Sequence, residues 1–436
     1  MSTKKRLLVF GAGKSATVLI DYLKKKAVEK KWELTVADSN LETIQQKLGT
    51  HPGTNAVQLD ILDAAKRASL ISNADVVISL MPPALHLYVA EDCLALGKHL
   101  LTASYVDPKI RQMEDAIKEK GILFLCEMGL DPGIDHMSAM QLIHRIKNAG
   151  GHVESFYSHC GGLVAPESDD NPWHYKISWN PRNVVLAGKA GAAYREKGAV
   201  KELSYDALFQ QNTSVNIPSV GTLSYYANRD SLSYINLYDL PEAKNFLRST
   251  LRYPDFCKGW AVIVRLKLTD ENLMYDTDGL SVNDFLQKHL QQHRLNASFD
   301  ELMSDKQTRF QFEFLGLFAD TLINKGQCSA ADILQWRMEQ SWVLKPDDKD
   351  MIVMLHEIRY LQNGQAHEIK SCLVVKGEDH LRTAMAQTVG LPLAIAAVLI
   401  AEEKLTETGL HIPVIPAIYE PVLAILAKEG IVFHEV

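Results

Sequence analysis

Apolar residues in the first 130 positions follow two rhythms. Short continuous apolar runs, the pattern of strands buried on both faces, alternate with longer segments whose apolar positions recur at helical spacing. The runs Arg6–Phe10, Glu33–Asp38, Ala56–Asp60, Asp75–Leu80, Lys98–Ala103 and Gly121–Cys126 predict strands. Between them Ala64–Ser72, Ala84–Leu96 and Pro108–Lys120 predict helices. Strand–helix alternation of this kind builds a Rossmann-type, doubly wound parallel sheet, so the fold class is α/β.

From Gly151 the rhythm changes. Alternating runs at Val153–His159, Trp260–Leu268, Met351–Tyr360 and Ile369–Val375 predict strands of a second, α+β domain, separated by loops rich in Pro, Asn and Asp. A helical insertion over about 282–339 shows amphipathic spacing at Leu286, Leu290, Phe312, Phe314, Leu317 and Ile333. Asp379–Glu403 predicts a long helix that returns to the first domain and covers its sheet. The expected division is therefore a dinucleotide-binding domain in two parts, 1–130 and 377–436, around a substrate-binding domain at 131–376. The most apolar stretch, Val389–Ala401, is shorter than a bilayer requires and predicts a buried helix.

Composition narrows the function. A chain of 436 residues supports more than one core, and a formal net charge of -7 without a long basic run argues against nucleic acid as partner. The six cysteines are scattered, with no paired spacing, so neither a disulfide framework nor a metal site is expected. The first strand begins within a few residues of Met1, which leaves no room for a presequence in the chain as given; a cytoplasmic protein, with no membrane contact, is the expectation.

The candidate chemistry starts at Gly11-Ala12-Gly13-Lys14-Ser15-Ala16, directly after the first strand. Gly11 permits a tight turn, Gly13 lets backbone N–H groups approach a diphosphate, and Ala16 allows close helix packing. The following helix N-terminus favours the anion. The motif is not a P-loop, because Lys14-Ser15 lacks the required glycine spacing. Asp38, at the end of the second strand and 25 positions after Gly13, is placed to accept a hydrogen bond from a ribose 2′-hydroxyl and to repel a 2′-phosphate. NAD is thus the expected cofactor, with NADP the alternative. Ligands in such folds bind beyond the carboxyl ends of the strands, which puts Met81, Ser104, Tyr105, Glu127 and Leu130 near the nicotinamide end.

Several further runs fit together: Thr102-Ala103-Ser104-Tyr105, Glu127-Met128-Gly129-Leu130-Asp131-Pro132-Gly133-Ile134-Asp135-His136, Cys160-Gly161-Gly162, Ala165-Pro166-Glu167, Asp170-Asn171-Pro172, Tyr175 to Trp179, Asn228-Arg229-Asp230-Ser231 and Thr250-Leu251-Arg252-Tyr253. With Lys349–Met354 and Thr388–Pro392 they make the chain resemble, along nearly its whole length, the saccharopine dehydrogenase (L-glutamate-forming) family. The resemblance implies interconversion of saccharopine with L-glutamate and 2-aminoadipate 6-semialdehyde, by hydride transfer with a nicotinamide cofactor, in lysine metabolism. It further implies that Ser104, Tyr105, Asp131, Arg229, Thr250, Leu251 and Arg252 hold substrate. Met81, Ala103, Leu130, Pro132 and Asn180 match positions beside the cofactor.

The residue chemistry agrees. Saccharopine carries three carboxylates, and Arg229 and Arg252 offer bidentate donors. Amine oxidation requires loss of a proton, and imine hydrolysis requires an activated water. Asp131, Tyr105 and Cys160, the last read as a thiol on a glycine-rich loop, are the catalytic candidates. His136, at the head of an apolar helix, reads equally well as a packed or capping residue, Glu127 as a holder of its loop, and Lys176 as a weaker carboxylate ligand. Val164, Trp173 and Asn183 depart from the family pattern near the segment expected to line a cleft. Alternatives are a relative acting on another opine or imine adduct, of the carboxynorspermidine type, or a non-catalytic NAD-binding sensor. A homodimer is the default for such enzymes.

Overall fold

The computed structural model describes residues 4–211 and 213–436, which form two compact units. Among the described residues, unit 1 comprises 4–152 and 381–434, and unit 2 comprises 153–211, 213–380 and 435–436.

Unit 1 begins with β1 (Arg6–Phe10), α1 (Thr17–Lys30), β2 (Glu33–Asp38), α2 (Leu41–Leu48), β3 (Thr54–Gln58), α3 (Ala64–Ser72), β4 (Val76–Ser79), α4 (His86–Leu96) and β5 (His99–Thr102). The expected helix at 108–120 is broken into α5 (Pro108–Arg111) and α6 (Glu114–Glu119), after which come β6 (Leu123–Leu125) and α7 (Ile134–Asn148). Leu7, Leu8, Val9 and Phe10, like Val76 to Ser79, are almost completely buried, as parallel strands covered on both faces must be. Capping side chains fix helix starts: Asn40 accepts from the Thr43 N–H, and Asp63 from the Lys66 N–H.

Unit 2 opens with β7 (His152–Val164), followed by α8 (Pro181–Val185), β8 (Ala192–Glu196), β9 (Ala199–Leu203), α9 (Tyr205–Leu208), β10 (Ser214–Ile217), β11 (Gly221–Ala227), β12 (Arg229–Asp230), α10 (Ser233–Leu237) and β13 (Asn245–Arg252). Next come α11 (Pro254–Arg265), β14 (Met274–Asp276), α12 (Val282–His293), α13 (Asn296–Met303), α14 (Lys306–Phe314), β15 (Gln327–Ser329) and α15 (Ala330–Ser341), and the unit closes with the hairpin β16 (Asp350–Gln362) and β17 (Gln365–Lys376). Its mixed sheet includes the run β10-β11-β13-β7-β16-β17, with β8 branching from β13 and itself pairing with β9 and β12. One face packs on the helices through Trp173, Phe256, Trp260 and Trp342, and the other carries a smaller apolar cluster with Leu163, Leu251 and Leu355. The segment Trp260–Leu268, expected to be a strand, lies largely in α11. Phe256, Trp260, Ile263 and Val264 recur at helical intervals and are all buried, and Pro254 at the first turn starts the helix.

The chain then re-enters unit 1 with α16 (Ala384–Ala401), β18 (Gly409–His411) and α17 (Pro416–Lys428). The parallel sheet of unit 1 is ordered β18-β6-β5-β4-β1-β2-β3, the doubly wound order with one strand added at its edge. α16 has the length and mean hydropathy, 2.0, of a membrane span, yet 89% of that stretch is buried inside the structure, where it packs on α1, β4 and β5. A Cβ at Gly390 would stand 3.0 Å from the Leu19 nitrogen and 3.3 Å from the Ser15 carbonyl oxygen, which shows how closely α16 approaches the first turn of α1. α7 packs on α17, and both lie in unit 1, which continues to His152.

Candidate functional site

The glycine turn of unit 1 is held by its backbone. Gly11 has φ +101°, and a Cβ there would meet the Leu80 carbonyl oxygen at 2.8 Å, so only glycine fits between β1 and the end of β4. Gly13 is different, because a Cβ on it would enter open space, the space a diphosphate needs in front of the helix. Lys14, Ser15 and Ala16 form a single 3₁₀ turn leading into α1. Asp38 closes the turn from the side: Oδ2 accepts the Ala12 N–H at 2.7 Å, and Oδ1 accepts from the Asn40 N–H at 3.0 Å and the Ser39 hydroxyl at 3.3 Å. These residues fit a dinucleotide, with the diphosphate on the turn and a ribose against Asp38. Lys47, which sequence reasoning missed, is also here: its Nζ donates to the Gly13 carbonyl oxygen from the last turn of α2. Burial lowers its ammonium to about 8.

At the carboxyl ends of β5 and β6 two loops are laced together. The Glu127 N–H donates to the Ser104 carbonyl at 3.0 Å and the Met128 N–H to the Thr102 carbonyl at 3.0 Å. A Cβ on Gly129 would stand 3.0 Å from that of Ala103, so Ala103, Ser104 and Leu130 belong to one small region, with Met81 just past the end of β4. The Asp131–Pro132 peptide is cis. Glu127 acts as the pin of this region: Oε1 accepts the Val106 N–H at 3.2 Å, and Oε2 lies 2.9 Å from Nε2 of His136, both side chains being buried. His136 is thus a packed residue.

A second missed residue, His86, organises Ser104. Its Nδ1 lies 2.8 Å from the Ser79 hydroxyl and its Nε2 lies 2.8 Å from the Ser104 hydroxyl. Burial pushes this imidazole down to about 4, so it is neutral at physiological pH and one ring nitrogen donates while the other accepts. The only hint in the sequence is a histidine soon after the Met81-Pro82-Pro83 stop.

In unit 2, Cys160 lies in the middle of β7, not on a loop, with Thr250 of β13 as its parallel partner in the sheet. The adjacent glycine explains why this segment looked like a loop: a Cβ on Gly161 would stand 2.6 Å from the Leu251 carbonyl oxygen, so the glycines permit close strand approach. Side chains alternate along β13. Leu251 is fully buried in the smaller apolar cluster, whereas Arg252 sits among the aromatic residues of the other face. Its guanidinium carbon lies 5.3 Å from the Tyr175 ring centre and 5.4 Å from that of Phe256, and one terminal nitrogen donates to the Leu251 carbonyl at 2.8 Å. Arg252 is only 4% exposed, its Nε has no hydrogen-bond partner, and it forms no ion pair with a carboxylate among the described residues. Arg229, by contrast, is exposed on β12 with φ +50°. Asn180 caps α8 by accepting the Arg182 N–H at 2.9 Å. Lys176 is not available as a carboxylate ligand for substrate, because Asp170 at 2.8 Å and Asp348 at 2.7 Å neutralise its buried ammonium. Trp173 lies in the aromatic core, its indole nitrogen donating to the Gln311 carbonyl.

Two family descriptions cover this arrangement. The saccharopine dehydrogenase NADP binding domain matches residues 7–125, and the saccharopine dehydrogenase C-terminal domain matches residues 129–431. The chain belongs to the saccharopine dehydrogenase family. Among its relatives, the NADP(+), L-glutamate-forming saccharopine dehydrogenase of Saccharomyces cerevisiae is 34% identical over 447 residues, covering 99% of both chains. Alpha-aminoadipic semialdehyde synthase, mitochondrial, of Bos taurus is 34% identical over 456 residues, covering 99% of this chain but 48% of that protein; the chain spans about half the length of such relatives. The solved apo, histidine-tagged saccharopine dehydrogenase (L-Glu forming) from Saccharomyces cerevisiae superposes with a TM-score of 0.88 at 32% identity, over 99% of each chain. As a member of this family the chain carries its NADP-binding domain, whereas Asp38 read alone favours NAD.

Proposed function

We propose that this chain is a nicotinamide-dependent oxidoreductase interconverting saccharopine and water with L-glutamate and 2-aminoadipate 6-semialdehyde. The observation that carries the reading is Arg252, a buried guanidinium with no carboxylate paired to it among the described residues. A buried, unpaired charge is costly, and a substrate carboxylate removes the cost with a bidentate, charge-assisted contact. A substrate with three carboxylates suits it, and the full-length likeness to relatives named for this reaction supports the same choice.

In this reading Gly11, Ala12, Gly13, Lys14, Ser15 and Asp38 hold the adenosine and diphosphate, while Met81, Ala103, Leu130, Pro132 and Asn180 flank the nicotinamide portion. The nicotinamide, when bound, supplies the hydride acceptor or donor. The protein's part is to bind, orient and move protons. Arg229, Thr250, Leu251 and Arg252 engage substrate carboxylates, Leu251 through its backbone because its side chain is in the core. Ser104, its hydroxyl fixed by neutral His86, donates or accepts a hydrogen bond at one set position. Asp131 anchors the substrate amine, and Tyr105 and Cys160 are the remaining candidates for proton transfer.

The test is absorbance at 340 nm with purified protein, saccharopine and either NAD or NADP. Reduction with either cofactor supports the proposal. Cofactor binding without reduction by saccharopine overturns it and points to another opine.

A further inference from the structure

Two features of unit 1 pull in opposite directions. Asp38 places a carboxylate where a ribose 2′-hydroxyl binds, which disfavours a 2′-phosphate, yet the domain belongs to a family of NADP-binding domains. Ser39 and Asn40, the next residues in sequence, bring no positive charge. A cation reaches the turn from elsewhere in the fold. α2 leads back from the end of β2, and its last turn carries the Lys47 ammonium to the carbonyl of Gly13, in the middle of the phosphate-binding turn. Lys47 is only partly exposed, and the backbone carbonyl of its own residue accepts from Lys24 Nζ at 2.6 Å, which anchors the end of α2 beside α1.

The Asp38 carboxylate already accepts from the Ala12 N–H, the Asn40 N–H and the Ser39 hydroxyl, so part of its negative charge is spread into the loop. The Lys47 ammonium has three donors, and the Gly13 carbonyl takes one. A lysine on a flexible stem is a mobile point charge, suited to following a phosphate rather than gripping a planar group. We infer that Lys47 is a specificity-determining residue, the cation that lets this turn accept the 2′-phosphate of NADP in spite of Asp38. The inference rests on the dinucleotide role of the turn proposed above.

The test measures binding, not turnover. NADPH and NADH are titrated into the full chain, and nicotinamide fluorescence gives Kd for the wild type, Lys47→Met and Lys47→Arg. Methionine keeps most of the apolar stem and removes the charge, and arginine restores it. The expected result is that Lys47→Met weakens NADPH by about tenfold or more, the worth of a charge-assisted hydrogen bond, changes NADH less than about twofold, and is rescued by Lys47→Arg. Equal weakening of both cofactors would assign Lys47 to the shared diphosphate and overturn the inference, as would a wild type that binds NADH but not NADPH. Selective loss of NADPH in a protein that fails to oxidise saccharopine would leave Lys47 in its role while removing the proposed substrate.

Discussion

Arg252 is costly to bury, and the proposed function supplies a reason to keep it there, an anion that arrives with substrate. Replacement by glutamine should raise the saccharopine KM by about a hundredfold, the range for losing one partner of a buried charge pair, with little change in the Kd for the cofactor; steady-state kinetics beside cofactor titration checks both. His86 works at the same scale. His86→Phe fills the space but frees the Ser104 hydroxyl, and kcat/KM for saccharopine should fall by about tenfold to a hundredfold. Lys47 predicts a pH effect as well. Its ammonium is lowered to about 8 chiefly by burial, opposed by Asp38 and Asp21, and Asp21 is itself paired with Lys24 and Arg382. As pH rises through 8 the free enzyme loses that charge, so NADPH should bind more weakly while NADH does not. The glycine turn and Asp38 were legible in the sequence because local spacing defines them. His86 and Lys47 were not, since each acquires its role from a neighbour that only tertiary folding supplies.

Strand pairing in unit 2 sets a second kind of expectation. At Gly161 β7 leaves no room for a side chain against β13, and Gly161→Ala pushes a methyl into the Leu251 carbonyl; a loss of about 2 kcal/mol or more should appear as a lower urea midpoint. On the same sheet Glu357 lies 3.3 Å from His159 Nε2 and 2.5 Å from Lys370 Nζ, with Tyr225 and Arg359 also in its field. The hydrogen bond to His159, then that to Lys370, lowers its carboxyl from 4.5 to about 2. A lowered carboxyl contributes stability above its ordinary value and loses it as pH falls. Glu357→Gln should therefore lower Tm at pH 7, and the gap from wild type should narrow between about pH 4.5 and 2. Elements of unit 1 were readable from continuous apolar runs, but α11 was misread. Trp260, Ile263 and Val264 suit a strand by residue type and a helix by spacing, and burial against Trp173 and Trp342 decided for the helix.

The molecule as a whole is two cores threaded by a chain that visits the first one twice. Cofactor at about a hundred times its Kd should stabilise unit 1 by about 2.7 kcal/mol, and calorimetry should show the transition reporting on that unit rising by several degrees. The doubled visit also bears on biosynthesis. When β1 to β6 leave the ribosome, the face that α16 covers is bare and the edge that β18 closes is open. The missing pieces follow only after all of 153–380 has been made, which at ordinary elongation rates takes roughly ten to forty seconds. For that interval six strands of the seven-stranded sheet lack the helix that covers one face and the partner at one edge. Unit 1 is thus completed by residues made after 153–380, although its first strand is made before them.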